Sequence, residues 1–476
     1  MTQRAVLRSE ASPWPIPPTP TAARGWLGGL MGSATVALAM AWLWGFTVDD
    51  ALITCRVAFH LARGLGYRFN ATGPVVDAVT PLGFAYLLVP LATGGPLAAL
   101  TAAKWLGALL TALAAFLLGR RILQRTSAAY GGALLLCLAA TAPVAAWAVS
   151  GMETGLVTLM AVCAVGQGWL ADLAAAVAAA LRPELAPWCC AVRLGFRLQS
   201  GAALGRALSS PVLVLGAVAL VGAIRALSFG RAAPLSVFAK PSDLAHGASY
   251  ALHAFVQTGL PLLCLAPFSL RRGAPVARVV ALSGAVHFAA LLLAGGDWMS
   301  LYRLAVPVLP SFVLAGAELW RVAPAWASWL RLALAGAMSI YLAAAVGPSA
   351  RGVGRDRERL IHDAAPALAG AKSVAALDVG WVGAVGDFSI VDLAGVTDEA
   401  VAMLPGGHTS KRVGDSLLRS RDVDALVLLT APPPFEGYAR EVERRVALLP
   451  TAEGFRVVAS LPLGNGGQRY VILRRP

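Results

Sequence analysis

From about residue 27 to residue 350, long apolar runs alternate with short basic clusters, a rhythm that predicts a bundle of membrane helices. Runs read as spans lie near 27–46, 98–119, 130–148, 155–170, 210–228, 249–270, 278–294, 304–319 and 329–347. Two shorter pieces, 171–181 and 185–196, are parted by "RPE"; they read as half-length spans meeting at a break, or as the flanks of a plain interfacial loop. Together the segments predict about eleven spans. Broken helices are tolerated at membrane depth only where protein covers them or they line a cavity, so Arg182 and Glu184 point to a water-accessible interior.

Beyond 350 the pattern changes. Short apolar runs, "SVAALDV", "FSIVDLAG", "VDALVLLT", "FRVVASLPL" and "YVILRR", alternate with glycine-containing and helical stretches, which predicts a soluble α/β domain over 350–476. Continuous apolar runs of this kind suit parallel strands buried on both faces. The stretch "DVGWVGAVGD" at 378–387 is glycine-rich, but its G-x-x-G-x-x-G spacing is not the G-x-G-x-x-G of a dinucleotide loop. Residues 1–26 are Pro-rich and polar, without a short apolar core and cleavage site, and are expected to be a disordered cytoplasmic tail. The remaining division is a transmembrane domain over 27–349, whose first outer loop is 47–97. No repeat of period 20 to 50 is visible, which argues against a solenoid.

Composition settles the class and charge sets the orientation. With 58% hydrophobic and 13% charged residues, this is the balance of an integral membrane protein. The net charge of +14 does not indicate nucleic acid, because the basic residues cluster between apolar runs: "RRILQR" at 120–125, "RLGFRLQSGAALGR" at 193–206, "RRGAPVAR" at 271–278 and "RVAPAWASWLR" at 321–331. Placing these inside puts 47–97, 150–154, 225–240, 295–303 and the C-terminal domain outside, provided that 81–91 lies along the outer face instead of crossing. Cys55, Cys137, Cys163, Cys189, Cys190 and Cys264 sit mostly in apolar runs with no CxxC spacing, so neither a disulfide framework nor a zinc site is expected. His60, His246, His253 and His287 lack ligand spacing and read as surface or packing residues.

The unusual polar residues fall on one side. Asp49 and Asp50 follow the first span, Asn70 and Asp77 lie in the loop after it, Glu153 precedes another span, and Arg182, Lys240, Asp297 and Arg303 sit at the ends of others. Any one of these alone reads as an interfacial group. Together they suit glycosyl or phosphoryl transfer at a membrane surface. A carboxylate can take the proton of an acceptor hydroxyl attacking an anomeric carbon, while Lys or Arg holds a phosphate leaving group. A second carboxylate can bind a divalent cation, orient the acceptor, or raise the first one's pKa.

The stretch "DDALITCRVAFHLARGLGYRFNATGPVVDAVTPLGF" resembles the first outer loop of GT-C fold glycosyltransferases, in particular the bacterial group of terminal β-arabinofuranosyltransferases. The matching positions are Asp49, Asp50, Ala51, Ile53, Arg56, Gly64, Gly66, Asn70, Asp77, Thr80, Pro81 and Leu82. "SGMET" with Glu153, "RPE" with Arg182, "FAK" with Lys240, and "GGDWMSLYRLAVPVLP" with Asp297 and Arg303 follow in the family's order. The resemblance implies a multi-pass enzyme of the bacterial inner membrane, with its active site and C-terminal domain facing the periplasm. It would move a sugar, arabinofuranose or another pentose or hexose, from a polyprenyl-phosphate donor to a cell-envelope glycan or glycolipid. Asp49 or Asp50 would be the general base; Arg56, Lys240 and Arg303 would hold the donor phosphate, with Asn70, Asp77, Glu153, Arg182 and Asp297 as further candidates for binding phosphate or substrate. The chain departs from the family in reading "APLSVFAK" where Pro-Asn-Thr often precedes the "AK" element, and in lacking aromatics after Arg56. The rival expectation is a lipid or glycolipid transporter, against which no inverted repeat is visible.

Overall fold

A computed structural model describes residues 22–260, 274–464 and 467–476. It begins with helix α1 (Ala22–Trp42), followed by a loop carrying α2 (Asp49–Ala62) and α3 (Leu82–Leu88). Next come α4 (Pro96–Leu123), α5 (Ala128–Ala140), α6 (Ala142–Ala148), α7 (Thr154–Ala164), α8 (Trp169–Leu181) and α9 (Ala186–Gln199). After these follow α10 (Leu204–Phe229), α11 (Leu235–Ala239), α12 (Leu244–Ala254), α13 (Pro275–Leu293), α14 (Val306–Leu319) and α15 (Ala325–Leu368). Local signals set many of these ends. Proline opens α4 and α13, the Asp243 carboxylate accepts from the amides of Ala245 and His246 to cap α12, and Gly230 closes α10 in the left-handed conformation.

Among the described residues, α1, α4, α10, α13 and α15 are long and apolar enough to cross a membrane, and α5 with α6 makes a sixth if the pair is one span. Eleven full spans are therefore not reached among the described residues. The expected run at 130–148 bends by 58° between α5 and α6, where Pro143 removes a helical donor. The run at 155–170 stops at Ala164, and the chain turns through Gly168 at φ +89° into α8. Helices α7, α8 and α9 have 11, 13 and 14 residues, or about 16–21 Å at 1.5 Å per residue, well short of a bilayer core of about 30 Å. Residues 22–26 of the expected tail already belong to α1; residues 1–21 lie outside the described residues, as do Cys264 and the second half of the run at 249–270.

Helices α1 and α4 pack through small residues. Gly28 and Gly32 of α1 lie against the backbone of Gly119 and Ala115, an approach that leaves no room for a side chain. The long α15 continues the expected span at 329–347 without a break past residue 350, so the boundary drawn there falls inside a helix of 44 residues.

The C-terminal unit contains all five expected strands: β1 (Ser373–Ala376), β2 (Ser389–Asp392), β3 (Ala425–Leu429), β4 (Arg456–Pro462) and β5 (Arg469–Arg474). They form one sheet in the order β2-β1-β3-β5-β4. The parallel expectation holds for β2, β1 and β3, whereas β5 runs antiparallel to β3 and pairs with β4 as an antiparallel edge. β4 is largely solvent-facing, so its apolar run does not mark a strand covered on both faces. A short helix, α16 (Val379–Gly383), follows β1 and packs against α2.

Candidate active site

Asp49 and Asp50 occupy the first turn of α2, where the helix dipole and free backbone amides favour negative charge. Successive residues on a helix point about 100° apart, and here the two carboxylates face different parts of the molecule. Both Asp49 oxygens are taken: Oδ2 accepts from the Gly380 amide at 2.7 Å and Oδ1 from the Trp381 amide at 2.9 Å. Gly380 is required there, because a Cβ would collide with the Asp49 backbone and its carboxylate. The glycine-rich 378–387 stretch thus receives an anion from the same chain. Burial, reinforced by Asp378, pushes the Asp49 carboxyl up to about 6 against the pull of Arg357 and the two amides.

Two further residues expected to bind substrate serve the same seam. Arg56 is buried, and its guanidinium donates to the carbonyls of Phe69 at 2.8 Å, Gly386 at 3.0 Å and Phe388 at 3.0 Å, and to that of Gly383. Four of its five N–H donors go to backbone carbonyls, and it does not line the cavity beside Asp50. The Asn70 amide donates to the Ile390 carbonyl and accepts from the Ile390 amide, both at 2.9 Å, so it covers the free edge of β2 as a strand partner would. Asp77 likewise lies off the Asp50 cavity. It is buried in an ion pair with Arg225 of α10, whose guanidinium also donates to the Thr80 carbonyl and so pins the loop ahead of α3 to the bundle.

Asp50 instead opens on a cavity of about 200 Å³. Arg182, Glu184, Lys240, Asp297 and Arg303 line the same space, together with residues 78–81, Ser236, Trp298 and Val396. Asp50 Oδ2 lies 3.7 Å from Arg303 Nη1 and 4.0 Å from Lys240 Nζ. Arg303 Nε lies 2.8 Å from Asp297, and its guanidinium covers the Trp147 ring. Arg182 bridges Glu153 at 2.8 Å and Glu184 at 2.6 Å. Glu153 is itself 1% exposed and stands behind Arg182 instead of on the cavity wall. The "RPE" turn joins the antiparallel α8 and α9 at the cavity end, which accounts for charged residues between two short apolar pieces.

Burial alone would raise the Asp50 carboxyl, but Lys240 and Arg303 outweigh it and hold the group below its usual value. Arg303 is buried too, yet Asp297 and Asp50 raise it, so it stays charged. Lys240 makes no side-chain hydrogen bond among the described residues and remains 24% exposed to the cavity, its nearest carboxylate being Asp50. Two non-glycine residues, Leu301 and Tyr302, have positive φ of 61° and 49° in the loop that delivers Arg303. That strained backbone is held by Trp147, whose indole N–H donates to the Leu301 carbonyl at 3.0 Å, and by the Tyr250 hydroxyl, which accepts from the Leu304 amide at 3.1 Å.

Sequence reasoning missed residues on the wall and behind it. Trp298 is 66% exposed at the rim and stacks on His246 with ring centroids 3.8 Å apart. Thr80 and Ser236 share a hydroxyl hydrogen bond of 2.9 Å on the cavity wall. From the C-terminal unit, His408 lies within electrostatic reach of Asp50 and Lys240; burial, with Lys240 beside it, lowers its imidazole to about 4, so it is neutral near pH 7. Its loop is fastened over the bundle by Lys411, which donates to Ala402 at 2.8 Å, Leu404 at 3.1 Å and Phe238 of α11 at 3.5 Å. Only "GGH" in a polar stretch marked it in the sequence, which is no signal of function.

No group of three or more His, Cys, Asp or Glu side chains suited to a metal ion occurs among the described residues. The cavity carboxylates are answered by cations of the chain: Asp50 by Lys240 and Arg303, Asp297 by Arg303, Glu184 by Arg182. The fold and site define a helical membrane protein with a charged cavity under a small α/β unit. No protein family, curated protein or solved structure matches the chain.

Proposed function

We propose that the chain is a membrane glycosyltransferase of the GT-C type, moving a sugar from a polyprenyl-phosphate donor to a cell-envelope glycan or glycolipid acceptor. The observation that carries this reading is the division of the acidic pair: Asp49 is sealed against backbone amides, while Asp50 faces a cavity flanked by Lys240 and Arg303. A carboxylate kept ionised beside two cations suits a reaction that needs a base and an anion holder a few ångströms apart.

Asp50 takes the proton of the acceptor hydroxyl as its oxygen bonds to the anomeric carbon. The bond from that carbon to the phosphate oxygen breaks, and the phosphate leaves with the electron pair. Lys240, which has no other side-chain partner among the described residues, and Arg303 receive its charge. With Asp297 and Glu184 held in close ion pairs of their own and Asp50 acting only as base, the configuration at the anomeric carbon inverts and no covalent sugar intermediate forms. Trp298 offers a ring face at the mouth where a sugar enters. In a bacterial plasma membrane the cavity and C-terminal unit would face the periplasm, in keeping with the basic clusters at the opposite loops.

The test presents the purified full chain in bilayer discs with a panel of synthetic polyprenyl-phosphate sugars and membrane acceptor, comparing native protein with Asp50→Asn and Asp49→Asn. Loss of a general base lowers turnover by about 10²–10⁴-fold, and that loss is expected for Asp50→Asn with the fold intact. If a donor is consumed equally fast by Asp50→Asn, Asp50 is not the base. If no donor is consumed but labelled lipid changes leaflets, the transporter reading replaces this one.

A further inference from the structure

A second charged cavity lies at the other end of α7 from the Asp50 cavity. Helix α7 starts beside Glu153 and ends at Ala164, and just beyond that end a space of about 260 Å³ opens between the end of α4, the 165–168 turn, α9, α13 and α14. Its charged lining residues are Arg121 and Arg125, with no carboxylate among them; the rest is Val165, Gly166, Gln167, Phe196, Val276 and Leu314.

The arginines are fixed from behind. Arg121 Nη1 donates to the carbonyls of Val165 at 2.6 Å and Val162 at 3.1 Å, capping the end of α7 and leaving its second amino group without a hydrogen bond among the described residues. Arg125 Nε lies 3.6 Å from Glu318 Oε1. In the next layer Arg193 donates to the Ala164 and Gly166 carbonyls, and Asp172 is shared between Arg193 and Arg197. Among the described residues, four guanidiniums therefore face two carboxylates, Glu318 and Asp172, an excess of two positive charges. The outer flank is lipid-like: Trp169 is 68% and Leu170 62% exposed on the first turn of α8, next to the turn that lines the cavity. Aromatic and apolar side chains beside fixed cations mark a membrane interface.

We infer that this cavity binds a phosphate group, with Arg121 and Arg125 as donors and the apolar wall formed by Val165, Phe196, Val276 and Leu314. The exposed Trp169 and Leu170 favour the headgroup of an anionic phospholipid from the leaflet at that end, with a free phosphate compound as the other source of the same chemistry. The inference stands apart from the transferase reading, because its measurement is binding and not turnover.

The experiment uses the full chain in discs of phosphatidylcholine with and without phosphatidylglycerol, reading bound lipid by native mass spectrometry and thermal stability in parallel, with inorganic phosphate as a separate arm. Arg125→Gln removes one guanidinium, and Gln167→Glu places a carboxylate on an exposed lining position that makes no side-chain hydrogen bond. Each is expected to weaken phosphatidylglycerol binding by about tenfold, the loss of one charge-assisted hydrogen bond or its repulsive equivalent. Arg121 is left in place because it also caps α7. Phosphatidylglycerol retention lost in both variants supports the lipid source, and an equal stabilisation by phosphate alone supports the soluble one. Native protein with no preference for phosphatidylglycerol and no response to phosphate, or variants that bind as native protein does, overturns the inference.

Discussion

Asn70→Ala should loosen the C-terminal unit without touching the cavity. The Asn70 side chain makes two hydrogen bonds of 2.9 Å to the backbone of Ile390, a residue 2% exposed at the free edge of β2. Truncation leaves one amide and one carbonyl of Ile390 unpaired at a part-buried contact. At about 1–3 kcal/mol for each stranded group, the local docking free energy falls by about 2–6 kcal/mol. The protection of the Ile390 amide against hydrogen exchange should then drop by about 30-fold or more. Asn70→Asp supplies an independent check. It keeps an acceptor for the Ile390 amide but sets a carboxylate oxygen against the Ile390 carbonyl, so its effect should be at least as large. Exchange mass spectrometry of the full chain in discs, read on peptides covering 386–394 and on the sheet interior at 425–429, distinguishes local loosening from global unfolding. Unchanged exchange at Ile390 in both variants would refute the strand-partner role and return Asn70 to the list of substrate-binding candidates.

Two more outcomes follow from the charged groups. Asp77→Ala strands the buried Arg225 guanidinium and should cost about 3–5 kcal/mol, read as a large fall in thermal stability, while Asp77→Ala with Arg225→Met should recover most of it. If the double change is as unstable as the single one, the pair is not the source of the loss. For acid sensitivity the sign is set by the depressed Asp50 group: the ionised form persists down to below the ordinary carboxylate range and is lost only as pH falls through that lower value. If the transferase proposal holds, Asp50 should add no acid limb to kcat from pH 7 to about 5, whereas Lys240→Met removes the foremost lowering charge and moves that limb upward; an unmoved limb would show that Lys240 does not set the Asp50 charge.

Much of this architecture was legible in the sequence, for identifiable reasons. The five strands stood out because short apolar runs bounded by glycine and helical stretches have few alternatives, and the strand ends fall within a few residues of the expected runs. The antiparallel edge was not legible, since a run such as "FRVVASLPL" reads the same whether one face or both are covered. Span counting meets the same ambiguity. An apolar run of 11 to 14 residues fits a short buried helix as well as half a span, and only the turns at Gly168 and "RPE" separate the two readings. At the site, residue type pointed to Asp50, Lys240, Asp297, Arg303 and Arg182, which do share a cavity. It could not separate Asp50 from Asp49, or a phosphate-binding arginine from Arg56, because that difference lies in partners more than 300 positions away. Polar residues ahead of a span look alike whether they meet a ligand or a distant part of their own backbone.

The continuous α15 and the seam at Asp49, Arg56 and Asn70 bear on how this protein can be recombined. A crossover at residue 350 looks natural from composition, yet it cuts a helix and divorces the C-terminal unit from the loop whose side chains complete its sheet edge and cap its first turn. The inheritable module is discontinuous: residues 49–70 and 373–476 must travel together, because each supplies hydrogen-bond partners the other buries. Chimeras that exchange the C-terminal unit alone would carry mismatched halves of one interface, whereas those that exchange both pieces keep it whole and can bring a new cavity roof to an unchanged bundle.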